Sequence, residues 1–171
     1  MTAVPVIETA RLRLRAPTAA DFAAVGAFLA SPRACFIGGP YDAVQAWRLF
    51  AASVGAWTLQ GFGYWAVDER DGGGLVGAVG LQQPPDFPEI EFGWDLYDGF
   101  EGRGYATEAA TAARDWAFGP GGLATLVSYI DPANAASIRV AERLGARRDP
   151  SAPCAFPGDL VYRHSPEGDR A

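Results

Sequence analysis

Lysine is absent from this 171-residue chain, and all 14 of its basic residues are arginine. A phosphate-binding P-loop and a Schiff-base mechanism both require a lysine, so the composition excludes both. The chain has one histidine, His164, and two widely separated cysteines, Cys35 and Cys154. Without a paired-cysteine motif, we expect neither a disulfide framework nor a bound metal. A hydrolytic triad would depend on His164 alone, and no motif supports an acyl-cysteine route.

Long apolar runs and an excess of positive charge are also missing. No apolar stretch reaches about 18 residues, so we expect no membrane span and no membrane partner. The first residues lack the basic and apolar segments of a secretory signal, which favours a cytoplasmic protein. The formal net charge of -6 opposes nucleic-acid binding and favours a cationic acceptor.

The periodicity of apolar residues predicts one α/β domain. The length and the 49% hydrophobic content suit a single domain over residues 1–171, with its core at about 8–165. Runs with strand character cover residues 11–15, 64–68, 75–81, 89–96, 124–130 and 159–163. Helical spacing covers residues 22–29, 42–54 and 106–117, and a short helix ends at Gly145.

The segment from Glu89 to Leu96 alternates strictly between two kinds of side chain. One face carries large apolar groups, and the other carries Glu89, Glu91, Gly93 and Asp95. A central strand is normally covered on both faces, so this acidic row predicts a cleft above the sheet. The alternative is a solvated strand face with no function.

A glycine-rich turn, Glu101 to Thr107, lies between that strand and a helix faced with alanine. Its free N–H groups and the positive end of the helix favour an anion such as pyrophosphate. Gly102 and Gly104 allow close approach of a ligand, and Arg103 and Thr107 could add contacts. The turn fails the dinucleotide fingerprint at Thr107, which leaves coenzyme A or a purely structural tight turn.

Three segments together resemble a known family. They are TARLRLRAPTAADF, IEFGWDLYDGFEGRGYATEAA and NAASIRVAERLGA, and the chain ends with a similar VYRHSPEG. They resemble the GNAT N-acetyltransferase superfamily, in particular its RimJ/RimL-like branch, over nearly the whole chain. The resemblance implies a single α/β (α+β) domain with helices on both faces of a mixed, mostly antiparallel sheet of about six to seven strands.

The resemblance implies transfer of an acetyl group from acetyl-CoA to a primary amine, by direct attack in a ternary complex. The acceptor would be a protein N-terminus or a small amine. The sequence leaves the oligomeric state open between a monomer and a homodimer. Two positions depart from the family pattern: Glu101 stands where Gln, Arg or an aromatic residue is usual, and Ala141 where a proton-donating Tyr is common. The implied coenzyme-binding residues are Trp94, Leu96, Glu101, Gly102, Arg103, Gly104, Tyr105, Ala106, Thr107, Asn134 and Ser137.

Acetyl transfer needs a base for the amine, and Glu91 is the first candidate, with Glu89 as the alternative. The resemblance also implies that the main-chain N–H of Gly93 or Trp94 would polarise the thioester. Ser137, Tyr129 or water would protonate the departing thiolate. A second hypothesis is a catalytically silent acyl-CoA-binding or interaction module, which the departures at positions 101 and 141 suggest.

Overall fold

A computed structural model describes residues 3–166. Its four α-helices are α1 (Phe22–Leu29), α2 (Ala43–Gln60), α3 (Tyr105–Phe118) and α4 (Ala135–Arg143). Its strands are β1 (Ile7–Glu8), β2 (Leu12–Arg15), β3 (Tyr64–Glu69), β4 (Leu75–Gln82), β5 (Glu91–Leu96), β6 (Leu126–Ile130), β7 (Arg147–Arg148) and β8 (Leu160–His164). The last two residues of the VYRHSPEG segment, Glu167 and Gly168, lie outside the described residues.

All strands belong to one sheet with the order β1-β2-β3-β4-β5-β6-β8-β7. Every neighbouring pair is antiparallel except β5 and β6, which are parallel. The predicted mixed, mostly antiparallel sheet is confirmed, although it has 8 strands instead of six or seven. The additional strands β1 and β7 have two residues each, which is too short for any alternation to be visible in the sequence.

The predicted alanine stripe of α3 packs on one face of the sheet. Ala109, Ala110, Ala113 and Ala117 are all buried, because small side chains let the helix approach the strands closely. Trp57 of α2 joins this core by edge contacts to Trp65 and Trp116, with ring centroids 4.6 and 5.7 Å away. The helix predicted to end near Val54 therefore continues to Gln60, and Gly61 ends it in the left-handed conformation.

The opposite face of the sheet lies below α1 and the first half of α2. The predicted capping box of Thr18 and Asp21 is present at the start of this region. Arg15 on β2 donates to Asp21 at 2.8 Å and to Asp68 on β3 at 2.6 Å, so this helical layer is tied to the sheet at one edge. Nearer β5 the two layers separate and leave a cleft.

Within residues 3–166, no helix is both long and apolar enough to cross a bilayer. The same residues include no group of three or more histidine, cysteine or acidic side chains placed to hold a metal ion. Both cysteines are free thiols, with Cys35 exposed and Cys154 half-buried.

Candidate active site

The cleft begins where β5 and β6 part. The two strands pair at Glu91 opposite Val127, and the Val127 N–H donates to the Ile90 carbonyl at 3.0 Å. One residue further along β6, a side-chain hydrogen bond takes the place of a main-chain one. The Ser128 hydroxyl donates to the Phe92 carbonyl at 2.5 Å. Beyond this bridge the strands diverge, and a cleft of about 960 Å³ opens between them and below α1 and α2.

The acidic face of β5 lines this cleft, as the alternation predicts. Glu91 and Asp95 flank Gly93, and a side chain at Gly93 would collide with the Tyr64 hydroxyl. Burial raises the pKa of Glu91 to about 7, although a hydrogen bond of 2.5 Å from the Gln82 amide opposes the shift. Burial also raises the pKa of Asp95 to about 6. Glu91 therefore changes charge near neutral pH, as a general base requires.

Glu89 lies outside the cleft, just before β5 begins. Its carboxylate accepts two hydrogen bonds from Arg163, at 2.8 and 2.9 Å. These bonds lower the pKa of Glu89, and Arg163 also binds Asp149 at 2.8 Å. Of the two candidate bases, only Glu91 faces the space where an acceptor could lie.

The glycine-rich turn forms the mouth of the cleft. Gly104 is the N-cap of α3 with φ 79°, and Gly102 has φ 74°, a left-handed conformation that glycine adopts without strain. The first hydrogen bond of α3 runs from the Glu108 N–H to the Gly104 carbonyl at 3.1 Å. Within residues 3–166, the N–H groups of residues 102–107 have no acceptor, so they are available to an anion.

Contacts from the connection between β1 and β2 hold the glycine-rich turn in place. The carboxylate of Glu108 accepts from the Thr9 hydroxyl at 2.6 Å and from the Arg11 guanidinium at 2.7 Å. Arg11 also donates to the Arg103 carbonyl at 2.9 Å. The free N–H groups are thus presented by a fixed backbone, which lowers the entropic cost of binding a ligand there.

Glu101 does not leave its negative charge unpaired beside the anion site. Its carboxylate accepts from the Gly99 N–H at 2.9 Å and forms an ion pair with Arg33. Arg33 lies across the cleft in a short 3-10 helix, Pro32–Ile37, and the sequence analysis did not single it out. No pattern around Arg33 could have identified it, because its role depends on a contact with a distant segment.

The start of α4 forms the other wall of the mouth. Asn134 is the N-cap, and its side chain accepts from the Ser137 N–H at 3.1 Å. Ala141 is fully buried, and as an alanine it offers no hydroxyl at that position of the helix. Tyr129 lines the cleft on the Glu91 side of the sheet.

The structure brings most of the predicted coenzyme-binding residues to one cleft. Arg103 and Tyr105 are exceptions at the side-chain level, because Arg103 stacks on Phe100 at 5.5 Å and the buried Tyr105 binds Glu69. These two residues contribute main-chain groups to the turn. The predicted residues that line the cleft are Trp94, Leu96, Glu101, Gly102, Gly104, Ala106, Thr107, Asn134 and Ser137.

A buried serine–histidine pair also lies at the base of the cleft. His164 Nε2 is 2.9 Å from the Ser128 hydroxyl, but that hydroxyl already donates its hydrogen to the Phe92 carbonyl. Burial lowers the pKa of His164 to about 3, so the ring is neutral at physiological pH. His164 therefore donates to Ser128 and cannot activate it as a nucleophile, which makes the pair structural.

Comparison with protein families gives a match over most of the chain. Residues 11–147 match the family described as Acetyltransferase (GNAT) domain. Among curated proteins, the chain is 36% identical over 87 residues to an uncharacterized protein, YkkB, of Bacillus subtilis. That match covers 50% of this chain and 51% of YkkB, so the chain spans about half the length of this relative.

Solved structures resemble nearly the whole chain. An acetyltransferase from Agrobacterium tumefaciens superposes with a TM-score of 0.91 and 48% identity, covering 96% of each chain. A ribosomal L7/L12 α-N-protein acetyltransferase, RimL, solved in complex with coenzyme A, has a TM-score of 0.75 and 16% identity. It covers 96% of this chain and 100% of its own, and this distant likeness concerns the fold.

Proposed function

The chain belongs to the GNAT acetyltransferase family, and on that premise we propose that it moves an acetyl group from acetyl-CoA to a primary amine by direct attack in a ternary complex. Family membership supports an acyl-CoA-dependent acetyltransferase. The proposal depends on one observation above all: a single cleft connects the free N–H groups of the glycine-rich turn with the Glu91 carboxylate.

The mouth of the cleft fits the pyrophosphate of coenzyme A. Consecutive free N–H groups at residues 102–107 offer several donors to phosphate oxygens, and the positive end of α3 favours their charge. The ion pair with Arg33 neutralises the charge of Glu101, so this carboxylate does not repel an anion bound at the turn. Asn134 and Ser137 would flank the pantetheine arm, and Trp94 and Leu96 would line its path along β5.

Glu91 is the proposed general base. The bound co-substrate supplies an acetyl thioester, and a neutral amine is needed to attack it. With a pKa near 7, Glu91 can accept the proton that the amine releases as the N–C bond forms. The C–S bond breaks, and the departing thiolate takes a proton from Ser137, Tyr129 or water, since a thiolate is a good leaving group and needs only a weak acid.

The proposed acceptor is a broad class of primary amine, either a protein N-terminus or a small amine, as in the RimJ/RimL-like branch. The acidic cleft and the net charge of -6 favour a cationic acceptor. Two free cysteines suit the reducing cytoplasm, which is the compartment we propose. A monomer and a homodimer are both compatible with the proposal.

A second candidate is a silent module that binds acyl-CoA without turnover. The buried Ala141 favours it, because α4 offers no proton donor at that position. Incubation of the protein with acetyl-CoA and a panel of primary amines separates the two, with free thiol and acetylated amine both measured. We expect both products in equal amounts, whereas tight coenzyme binding with no thiol release on any amine would favour the module.

A further inference from the structure

Beside Glu91, β5 presents another carboxylate to the cleft, Asp95, that the proposed chemistry does not use. Among residues 3–166, Asp95 has neither a hydrogen bond nor an ion pair within 4.0 Å. The residues beside it across the sheet are Ala78 on β4 and then Ala66 on β3, which are too short to cover it. The carboxylate is therefore open to the cleft, and its burial is costly unless a ligand compensates for it.

The nearest cation does not satisfy Asp95. The Arg33 guanidinium lowers the pKa of Asp95 by its field, in opposition to burial. Its Nη2 atom, however, binds Glu101 directly. Its buried Nη1 atom lies 3.7 Å from Asp98 and, among residues 3–166, has no hydrogen-bond partner, so it does not bind Asp95 either. Arg33 thus contributes a long-range field at Asp95, while a positively charged ligand could form the direct contact that is missing.

Glu91 and Asp95 point into the cleft from the same face of β5. Four residues of a strand span about 13 Å, so a ligand of moderate length can reach both carboxylates. The Tyr64 hydroxyl lies above Gly93, midway between them. Phe28 of α1 and Tyr97 pack with their ring centroids 5.5 Å apart and line the cleft beyond Asp95. Phe28 already contacts the Arg33 guanidinium, 5.9 Å from its ring centroid.

We propose that Asp95 determines acceptor specificity by binding a second cationic group, so that the preferred substrate is a primary amine with another ammonium or guanidinium group within about 13 Å. This inference rests on the proposed function, because it assumes that the reacting amine lies at Glu91. Asp95 would position the acceptor, while Glu91 takes the proton. The apolar chain between the two cations would lie against Tyr64.

The test compares α,ω-diamines of about three to ten methylene groups, a range that brackets the carboxylate spacing, with monoamines of equal length. We expect the best diamine to exceed its matched monoamine in kcat/KM by about tenfold or more, as one charged hydrogen bond provides. The variant Asp95→Asn should lose this preference, mainly through KM. Asp71→Asn is the matched control, since it removes the same charge from the exposed β3–β4 turn.

A binding measurement separates failure of this inference from failure of the proposed function. Calorimetry of the coenzyme-A complex with a diamine and its matched monoamine reports the preference without turnover. Preference in binding but no thiol release on any amine would overturn the acetyl-transfer proposal and support the site at Asp95. Thiol release with equal kcat/KM for both amines, or a preference that survives Asp95→Asn, would overturn the inference alone.

Far-ultraviolet circular dichroism shows whether Asp95→Asn is folded. If it is not, Asp95→Ser serves as the second variant, because a small side chain fits beside Ala78. Loss of diamine preference in a folded variant supports the inference, and retention contradicts it.

Discussion

The two edges of β5 differ in how far they are paired with a neighbouring strand. Along β4 the pairing runs without a break from Gly77–Leu96 to Gln82–Glu91. Along β6 it is confined to Glu91 and Val127, and a serine hydroxyl bridges the next carbonyl. The first edge fixes the position of the strand, and the second opens the space in which a ligand can reach it. A rigid strand with one free edge is thus how this fold places Glu91 in a cleft.

The largest expected effect comes from removing the charge at the open edge. Glu91→Gln should lower kcat/KM by about 10²- to 10⁴-fold, because the amine loses its proton acceptor. In the unmodified protein, kcat/KM should fall as the pH drops through about 7, since protonation disables the base. Steady-state thiol release measures the loss in the variant, and its pH profile measures the change in the unmodified protein. The control is Glu142→Gln, on the exposed side of α4. A larger loss of kcat/KM in Glu89→Gln than in Glu91→Gln would identify Glu89 as the base instead.

The next largest effect concerns the mouth of the cleft. Gly104→Val should weaken coenzyme A binding by about 100-fold or more, because a β-branched residue resists a φ of 79° and would displace the free N–H groups. Gly72→Val is a matched control, with φ 80° in the β3–β4 turn and open space around it. Calorimetry should show loss of affinity in the first variant alone. Equal affinities would contradict the assignment of the turn.

The bridge between β5 and β6 should matter for stability. Ser128→Ala leaves the buried Phe92 carbonyl and the His164 ring N–H without partners, which should cost about 2–4 kcal/mol in the free energy of unfolding. Urea denaturation measures the change, and the exposed Ser151→Ala should stay within about 0.5 kcal/mol of the unmodified protein. A small effect of Ser128→Ala would mean that water replaces the hydroxyl.

The smallest effect is expected at Glu101. Glu101→Gln releases Arg33 from its ion pair, and a free guanidinium near the turn should tighten coenzyme A binding by about two- to fivefold. Salt should reduce the gain, because the contact is exposed. Calorimetry at two ionic strengths tests this expectation. Weaker binding would instead mean that the bond from Gly99 to Glu101 shapes the turn.

Local patterns were sufficient to predict the framework of this site. The alternation of β5 predicted its acidic face, and the alanine stripe predicted the packing of α3, because both follow from the geometry of a single element. The glycines at 102 and 104 likewise predicted a turn with free donors. The catalytic and coenzyme-binding roles of these residues stay predictions until the experiments above are done.

Tertiary contacts account for what the sequence did not reveal. Arg33 acts through its ion pair with Glu101, which lies in a distant segment. Ser128 acts through its hydrogen bond to Phe92, at the point where β5 and β6 separate. Neither residue belongs to a motif or a periodic face that would indicate its partner. The surroundings of the Asp95 carboxylate also depend on the fold, since only the folded sheet shows that its neighbours across the strands are the small residues Ala78 and Ala66.

The position of β8 affects how the protein can be produced. The region shared with the family ends at residue 147, before β8 supplies the outer neighbour of β6 and the buried His164. A polypeptide trimmed to that region would leave β6 as an exposed edge, and unpaired strand edges promote aggregation. Trimming at residue 11 would also remove Thr9, which helps to hold Glu108. Recombinant material for crystallography therefore needs residues on both sides of the region that matches the family.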